Sequence, residues 1–126
     1  MSGFQPDGRH TVTPRIITPD PAGLVGFVNA VFGAGGEHRK DVPSEVAIGD
    51  STVMISDGGG LRPALAAFLY VYVPDADETY RRAMTAGATS IEAPLDTPYG
   101  DRRATIQDGW GNLWQIATHR DGQNAS

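Results

Sequence analysis

The sequence contains no cysteine, and lysine supplies only one of its ten basic residues. Without cysteine there is no disulfide framework, no thiolate nucleophile and no cysteine-ligated metal. No apolar run approaches the roughly 20 residues that a membrane-spanning helix needs. The N-terminus also lacks the basic region followed by an apolar one that is typical of a secretory signal. These absences predict a cytoplasmic protein that has no membrane partner.

The basic residues are too scattered for nucleic-acid binding. The net charge is −5, and the basic residues occur at most in pairs, such as Arg81-Arg82 and Arg102-Arg103. A nucleic-acid-binding face needs clustered positive charge to neutralise phosphates, so nucleic acid is not an expected partner. A length of 126 residues, with 40% hydrophobic residues, predicts a single globular domain.

One order of elements occurs twice along the chain. The segment 16–20 (IITPD) corresponds to the segment 71–75 (VYVPD), and each is followed by a helix-like stretch that closes on Gly-Ala. The Gly-Asp turn at 49–50 similarly corresponds to the Gly-Asn turn at 111–112. This self-similarity predicts two βαβββ units. The expected boundaries are unit 11–57, linker 58–66, unit 67–119, and tails 1–10 and 120–126 that fray.

Local signals place the helices and strands of each unit. Asp20 followed by Pro21, and Asp75 followed by Glu78, are typical of helix N-termini. Gly87 is expected to end the second helix in the left-handed conformation. The expected strands include a polar edge strand at 37–41, a hairpin at 45–48 and 52–56, and a closing hairpin at 103–107 and 113–118. The fold class is therefore α+β, with two units whose sheets form one curved, cupped mixed sheet and whose helices lie outside it.

The alternation in residues 68–73 (FLYVYV) separates two faces. The aliphatic side chains share one face, which we expect a helix to cover, and Phe68, Tyr70 and Tyr72 share the other. An aromatic face that carries hydroxyl groups suits a cavity for an organic ligand, although both faces could simply be core. In the first unit the same phase turns Arg15 and Ile17 toward the cavity, where the arginine needs a partner or an anionic ligand.

Several short motifs resemble a known superfamily. They are Phe32-Gly33-Ala34, Ile48-Gly49-Asp50-Ser51, Tyr99-Gly100-Asp101-Arg102, and Asp108 with Gly111-Asn112, Trp114 and Ile116-Ala117-Thr118-His119. In this order, and together with the paired units, they are similar to the vicinal oxygen chelate superfamily, which includes glyoxalase, bleomycin-resistance protein and extradiol dioxygenase. The residues of these motifs are most similar to those of the PhnB-like branch. The resemblance implies a homodimer.

The resemblance also implies four seats for the ligands of a divalent metal, which in relatives are His, Glu or Gln. By register these seats fall on Thr13, Met54, Phe68 and Gln115, and only Gln115 offers a suitable oxygen. No metal and no other cofactor is therefore expected.

The three histidines do not restore a metal site by spacing. His10, His38 and His119 show no metal-binding spacing and are interpreted as surface residues. A relocated site that uses Glu45, Gln115 and His38 remains open.

Other single residues carry weaker hypotheses. Glu45 is the best candidate for a general base, if burial raises its pKa. Arg102 could bind an anionic ligand, or could pair with Asp101 or Asp96. By phase Trp114 should lie in the core, whereas Trp110 should lie at the rim of the cavity.

The leading hypothesis is a glyoxalase/bleomycin-resistance-like protein that binds a small organic molecule in a metal-free cavity. The ligand-binding candidates are Arg15, Ile17, Phe68, Tyr70, Tyr72, Arg102, Trp110 and Gln115. The alternative is an enzyme of the same superfamily, a lyase, isomerase or oxygenase, that uses a relocated divalent metal or Glu45 as a base. The sequence leaves open whether any reaction is catalysed.

Overall fold

The structure is a computed structural model that describes residues 3–58 and 63–120. The chain divides into two compact units, with the boundary between Leu65 and Ala66. The first unit contains strands β1 (Arg15–Ile17), β2 (Ser44–Ile48) and β3 (Ser51–Ser56) and helix α1 (Pro21–Phe32). The second contains β4 (Phe68–Tyr72), α2 (Ala76–Thr85), β5 (Thr89–Asp96), β6 (Asp101–Gln107) and β7 (Leu113–His119). Residues 59–62 of the predicted linker, and residues 121–126 of the predicted C-terminal tail, lie outside the described residues.

Helix α1 begins and ends where the sequence predicts. The Asp20 side chain accepts a hydrogen bond from the Gly23 backbone N–H, and Pro21 occupies the first turn. Gly33 ends the helix in the left-handed conformation, with φ of 62°, which a residue without a Cβ adopts at little cost. The buried side chains are Leu24, Val25, Phe27, Val28 and Val31.

The sheet of the first unit has three strands in the order β1-β3-β2, with β1 parallel and β2 antiparallel to β3. The predicted edge strand at 37–41 is wrong. The backbone turns at this point, because Asp41 takes a positive φ of 71° and the Val42 N–H donates to the Lys40 carbonyl at 2.8 Å. The edge of β2 is instead met by an isolated bridge between Gly35 and Ala47.

The second unit has a four-stranded mixed sheet in the order β4-β7-β6-β5. β4 and β7 are parallel, and the other neighbours are antiparallel. The Asp75 side chain accepts a hydrogen bond from the Glu78 N–H at the start of α2, as predicted, and Gly87 follows the helix with φ of 99°. The two units together confirm the α+β class, with two mixed sheets and two helices.

A buried aspartate shapes the turn between β6 and β7. Asp108 Oδ1 accepts hydrogen bonds from the backbone N–H groups of Trp110 and Asn112, each at 2.9 Å. Oδ2 accepts from the Asn112 amide at 2.9 Å and from the Trp114 indole N–H at 2.8 Å. Trp114 is fully buried, which confirms its predicted core position. The turn thus fixes the register in which β7 presents its side chains.

The N-terminal segment holds more contacts than a fraying tail. Arg9 Nη2 lies 2.6 Å from Glu45 Oε2, and His10 Nε2 lies 2.7 Å from the Asp50 carbonyl oxygen. These contacts tie Arg9 and His10 to the first unit, and fraying of residues 1–10 stays a prediction. In the part of the chain that the structure describes, no helix is long and apolar enough to cross a membrane.

Candidate functional site

The sheet of the second unit presents one buried and one exposed face. Trp114 and Ile116 of β7 are fully buried on one face. On the other face, Phe68, Tyr70 and Tyr72 are 64%, 37% and 62% exposed. The alternative in which both faces are core is therefore wrong. We call the exposed surface formed by Phe68, Tyr70, Tyr72 and Gln115 the aromatic face, since Tyr70 and Gln115 are direct neighbours in the β4–β7 register.

A buried carboxylate gathers the polar atoms at one end of this face. Asp101 begins β6, and its side chain is only 1% exposed. Its Oδ2 accepts hydrogen bonds from the hydroxyl groups of Tyr70 at 2.6 Å and Tyr72 at 3.0 Å. Its Oδ1 lies 2.8 Å from Nδ1 of His119, which is the residue opposite Asp101 in the β6–β7 register. We call Asp101, His119, Tyr70 and Tyr72 the Asp101 network.

The electrostatics of the Asp101 network keep the proton off the carboxylate. Burial raises the pKa of Asp101, but the hydrogen bonds from Tyr70, His119 and Tyr72 outweigh burial and leave the pKa below its usual value. Burial, together with the hydrogen bond to Asp101, raises the pKa of Tyr70. The hydrogen bond to Asp101 is the main cause of the raised pKa of Tyr72. The network therefore holds one negative charge, which neutral hydroxyl groups solvate.

An ion pair lies next to the network on the same face of the sheet. Arg103 Nε and Nη2 donate to the two carboxylate oxygens of Glu92 at 3.0 and 3.1 Å, and Nη1 donates to the Tyr99 hydroxyl at 2.8 Å. The bond from Arg103 lowers the pKa of Glu92. Thr105 also donates to Glu92 and accepts a long hydrogen bond from Gln115 at 3.4 Å. The charges in this part of the sheet are thus mutually compensated.

Arg102 and Trp110 lie apart from these contacts. Arg102 Nε donates to Asp77 Oδ1 at 3.1 Å, and its Nη1 lies 3.4 Å from Asp96 Oδ1. Of the two hypotheses for Arg102, the structure favours internal pairing, with Asp77 of α2 as the main partner. Trp110 is half-buried in the turn after β6, and its backbone N–H is held by Asp108.

The first unit contains a cavity of about 770 Å³. Arg15 lies in its wall, and its Nε and Nη2 donate to the Ser56 hydroxyl at 3.2 and 3.1 Å. The side chain is exposed, whereas Ile17 is half-buried. The uncharged Ser56 hydroxyl is therefore a hydrogen-bond partner of Arg15. The cavity is lined by Arg15, Pro21, His38, Arg39, Lys40, Asp41, Val42, Pro43, Ile55, Ser56, Asp57 and Gly58.

Glu45 is a weaker candidate base than its strand phase suggests. Its side chain is 41% exposed and pairs with Arg9 Nη2 at 2.6 Å and with Arg39 Nη2 at 3.6 Å. The hydrogen bond from Arg9 lowers the pKa of Glu45. The expected rise in pKa is therefore wrong, because the strand places this residue beside two guanidinium groups rather than in an apolar environment.

Comparison with known proteins gives the family. The family model of the glyoxalase/bleomycin resistance protein/dioxygenase superfamily matches residues 9–116. This chain belongs to that superfamily. An uncharacterized protein of Mycobacterium tuberculosis is 26% identical over 122 residues, covering 83% of this chain and 72% of the relative. The anthracycline biosynthesis protein DnrV of Streptomyces peucetius is 33% identical over 110 residues, covering 87% of this chain but only 35% of that protein.

Solved structures of the superfamily share the fold. The crystal structure of TioX from Micromonospora sp. ML1 superposes with a TM-score of 0.74 at 24% identity, over 87% of this chain and 98% of that one. At this level of identity the likeness extends to the fold alone, and function must be argued from the residues of the site.

The four seats expected for a superfamily metal do not fit a divalent ion. Thr13, Met54 and Phe68 offer no donor that a hard or borderline cation prefers, and Gln115 alone supplies a carboxamide. Direct strand neighbours add one carboxylate, because Met54 lies between Arg15 and Glu45, whereas Gln115 lies beside Tyr70. Glu45 is already paired with Arg9 and Arg39. Within residues 3–58 and 63–120, no three side chains of His, Asp or Glu come together to hold a metal ion.

The sequence interpretation missed two residues of the Asp101 network, Asp101 and His119. The signal was present in the predicted closing hairpin. The five-residue loop places Gln107 and Leu113 opposite each other. The β6–β7 register then continues without a break until Asp101 lies opposite His119. His119 was interpreted instead as a surface residue, and half of its side chain is indeed exposed.

Proposed function

We propose that this chain binds a small organic molecule on the aromatic face and does so without a metal. The observation that carries the proposal is the exposure of Phe68, Tyr70 and Tyr72 on the side of the sheet away from Trp114. Exposed aromatic side chains in a row supply apolar contact area at low entropic cost. The hydroxyl groups and the Gln115 amide add the few polar contacts that orient a ligand.

The absence of a suitable donor set supports a metal-independent mode. A superfamily enzyme would need several oxygen or nitrogen ligands to polarise its substrate, and the four seats offer one. The name of DnrV places a similar region in a protein of anthracycline biosynthesis, which is consistent with a role in handling small organic molecules. Trp110, Arg15 and Ile17 stay predictions as further ligand contacts.

A binding experiment on chelator-treated protein tests the proposal. We expect 2-naphthol, used as a bicyclic aromatic probe, to bind in isothermal titration calorimetry after dialysis against EDTA. Phe68→Ala should weaken binding about threefold to tenfold, since an aromatic contact contributes roughly 0.5–1.5 kcal/mol beyond its area. Met84→Ala is the control, because Met84 is an exposed apolar residue that lies on α2 and not on the aromatic face.

Two outcomes would contradict this proposal. Equal losses of affinity in Phe68→Ala and Met84→Ala would place the ligand elsewhere. Elemental analysis that finds a stoichiometric divalent metal in the purified protein, together with loss of binding on chelation, would show that the function depends on a metal.

Two finer expectations are also part of this proposal. We infer the PhnB-like branch from the motifs around Tyr99-Gly100-Asp101-Arg102, and a homodimer from the resemblance to relatives in the superfamily. Light scattering on a size-exclusion column would test the dimer. A mass of about 13.4 kDa in solution would contradict it.

A further inference from the structure

The direction of each hydrogen bond in the Asp101 network can be assigned. An ionised carboxylate only accepts hydrogen bonds, and the network holds the pKa of Asp101 below its usual value. The hydroxyl protons of Tyr70 and Tyr72 therefore point at Oδ2, over 2.6 and 3.0 Å. Nδ1 of His119, at 2.8 Å from Oδ1, must likewise carry a proton and donate it. Three donors thus face inward toward one buried anion.

This inward arrangement determines what the network offers to a ligand. A neutral imidazole that is protonated at Nδ1 has a lone pair at Nε2. The His119 side chain is 50% exposed, and in the described part of the chain its one hydrogen bond is to Asp101. Tyr72 is 62% exposed and retains acceptor capacity on its hydroxyl oxygen after it has donated its proton. The accessible polar atoms of the Asp101 network are therefore acceptors.

The apolar part of the site lies directly beside these acceptors. The rings of Tyr70 and Tyr72 have centroids 5.4 Å apart and are tilted by 59° to each other. Their hydroxyl groups converge on Asp101, the residue that also holds His119. A ligand ring that lies against Tyr72 would thus have a hydrogen-bond acceptor at its edge.

We propose that the aromatic face selects ligands that carry an O–H group on an aromatic ring, and that Nε2 of His119 accepts the hydrogen bond from this group. The inference rests on the proposed function and names its ligand class. It also predicts rejection of aromatic carboxylates. Such an anion finds no donor in the Asp101 network, because each proton already faces Asp101, and it meets the negative charge of that residue.

Three probes that share one ring system test this donor preference. They are 2-naphthol, which donates a hydrogen bond, 2-methoxynaphthalene, which only accepts one, and 2-naphthoate, which is an anion. Titrations are run at pH 8, above the range in which histidine usually titrates. We expect 2-naphthol to bind about tenfold more tightly than the ether, since one satisfied hydrogen bond contributes roughly 1 kcal/mol or more. The naphthoate should bind more weakly than either.

Variants at His119 assign the preference to Nε2. His119→Phe keeps an aromatic ring but has no acceptor, so the ratio of naphthol to ether affinity should fall to about one. His119→Gln can donate to Asp101 through its amide and still present a carbonyl oxygen, so it should keep part of the ratio. His38→Phe is the matched control, because His38 is an exposed histidine of the first unit, and it should leave the ratio unchanged. A thermal unfolding scan of each variant verifies that it is folded.

The possible outcomes separate this inference from the proposed function. If naphthol and ether bind wild-type protein equally, or if His119→Phe keeps the full ratio, the donor preference is wrong while aromatic binding stands. If the naphthoate binds most tightly, the assigned proton directions are wrong. If none of the three probes binds, both the proposed function and this inference are overturned.

Discussion

Both units begin with a strand and a helix and end with an antiparallel pair of strands, although the second has one strand more, and their polar residues differ in their surroundings. In the second unit the carboxylates of Asp101 and Asp108 are buried, and each is surrounded by hydrogen-bond donors. In the first unit the turn carboxylate, Asp50, which corresponds to Asn112 in the repeat, is exposed, and Arg15 is bonded to a neutral hydroxyl group. The repeated pattern of strands and helices therefore does not determine the chemistry. The side chains at strand ends and turns do, and they give the second unit a closed hydrogen-bond network and the first a cavity lined by charges of both signs.

Removal of the buried turn carboxylate of Asp108 should have the largest effect on stability among the substitutions that compare the two units. Asp108→Ala leaves two backbone N–H groups, the Asn112 amide and the Trp114 indole without their acceptor. We expect a loss of about 3 kcal/mol in the free energy of unfolding, because buried donors that lose a charged partner cost roughly 1–3 kcal/mol each before relaxation. Asp50→Ala, at the turn of the first unit, should change it by less than about 0.5 kcal/mol. Urea denaturation of both variants makes the comparison, and equal losses would contradict it.

The turn carboxylates also show which features the sequence could predict. Local signals were reliable, because an N-cap such as Asp20 or Asp75 bonds within its own first turn. Trp114 was placed correctly by alternation. The strand expected at 37–41 was wrong because alternation of polar residues cannot reveal the positive φ at Asp41. Contacts across several strands were the hardest to foresee.

The Asp101 network illustrates that limit. Its His119 contact follows from the hairpin register, which a count from the turn would have given. Its contacts with Tyr70 and Tyr72 depend on the parallel pairing of β4 with β7, and the register of a parallel pair joined through a distant crossover is not set by any local turn. The residues of the aromatic face were therefore predictable, but the carboxylate that organises them was not.

The pH dependence of stability should show the second-largest effect, because it depends on the buried carboxylate of Asp101 in the second unit. A carboxyl group whose pKa is lowered on folding, as that of Asp101 is, stabilises the fold above its unfolded pKa and loses this contribution as the pH falls through its folded pKa. Wild-type protein should be more stable than Asp101→Asn by about 2 kcal/mol at pH 7. The difference should shrink below about pH 4, near the unfolded value. A difference that is constant from pH 7 to pH 3 would mean that Asp101 does not act as an anion.

Arginine truncation compares the two units at a smaller scale. Arg103→Ala removes both hydrogen bonds to Glu92 and should cost about 1 kcal/mol, since the pair is partly exposed. Arg15→Ala in the first unit should cost less than about 0.5 kcal/mol, because Ser56 is a neutral partner that water can replace. A double-mutant cycle with Glu92→Ala isolates the pair. If the coupling energy is zero, the ion pair does not contribute to the stability of the second sheet.

Substitutions of helix glycines should have the smallest effect on the free energy of unfolding. In the first unit such a substitution should stabilise the fold. Helix α1 carries Gly26 at an exposed position, and a Cβ added there meets no atom within 4 Å. Gly26→Ala should therefore raise the free energy of unfolding by about 0.5–1 kcal/mol, because alanine restricts the unfolded chain and favours the helix. Gly36→Ala is the opposite control, since its Cβ would lie 2.4 Å from the Glu45 carbonyl oxygen, with φ of 156°, and it should destabilise the fold. If denaturation shows that both substitutions lower stability, α1 is held by close packing around Gly26 rather than by its buried apolar stripe.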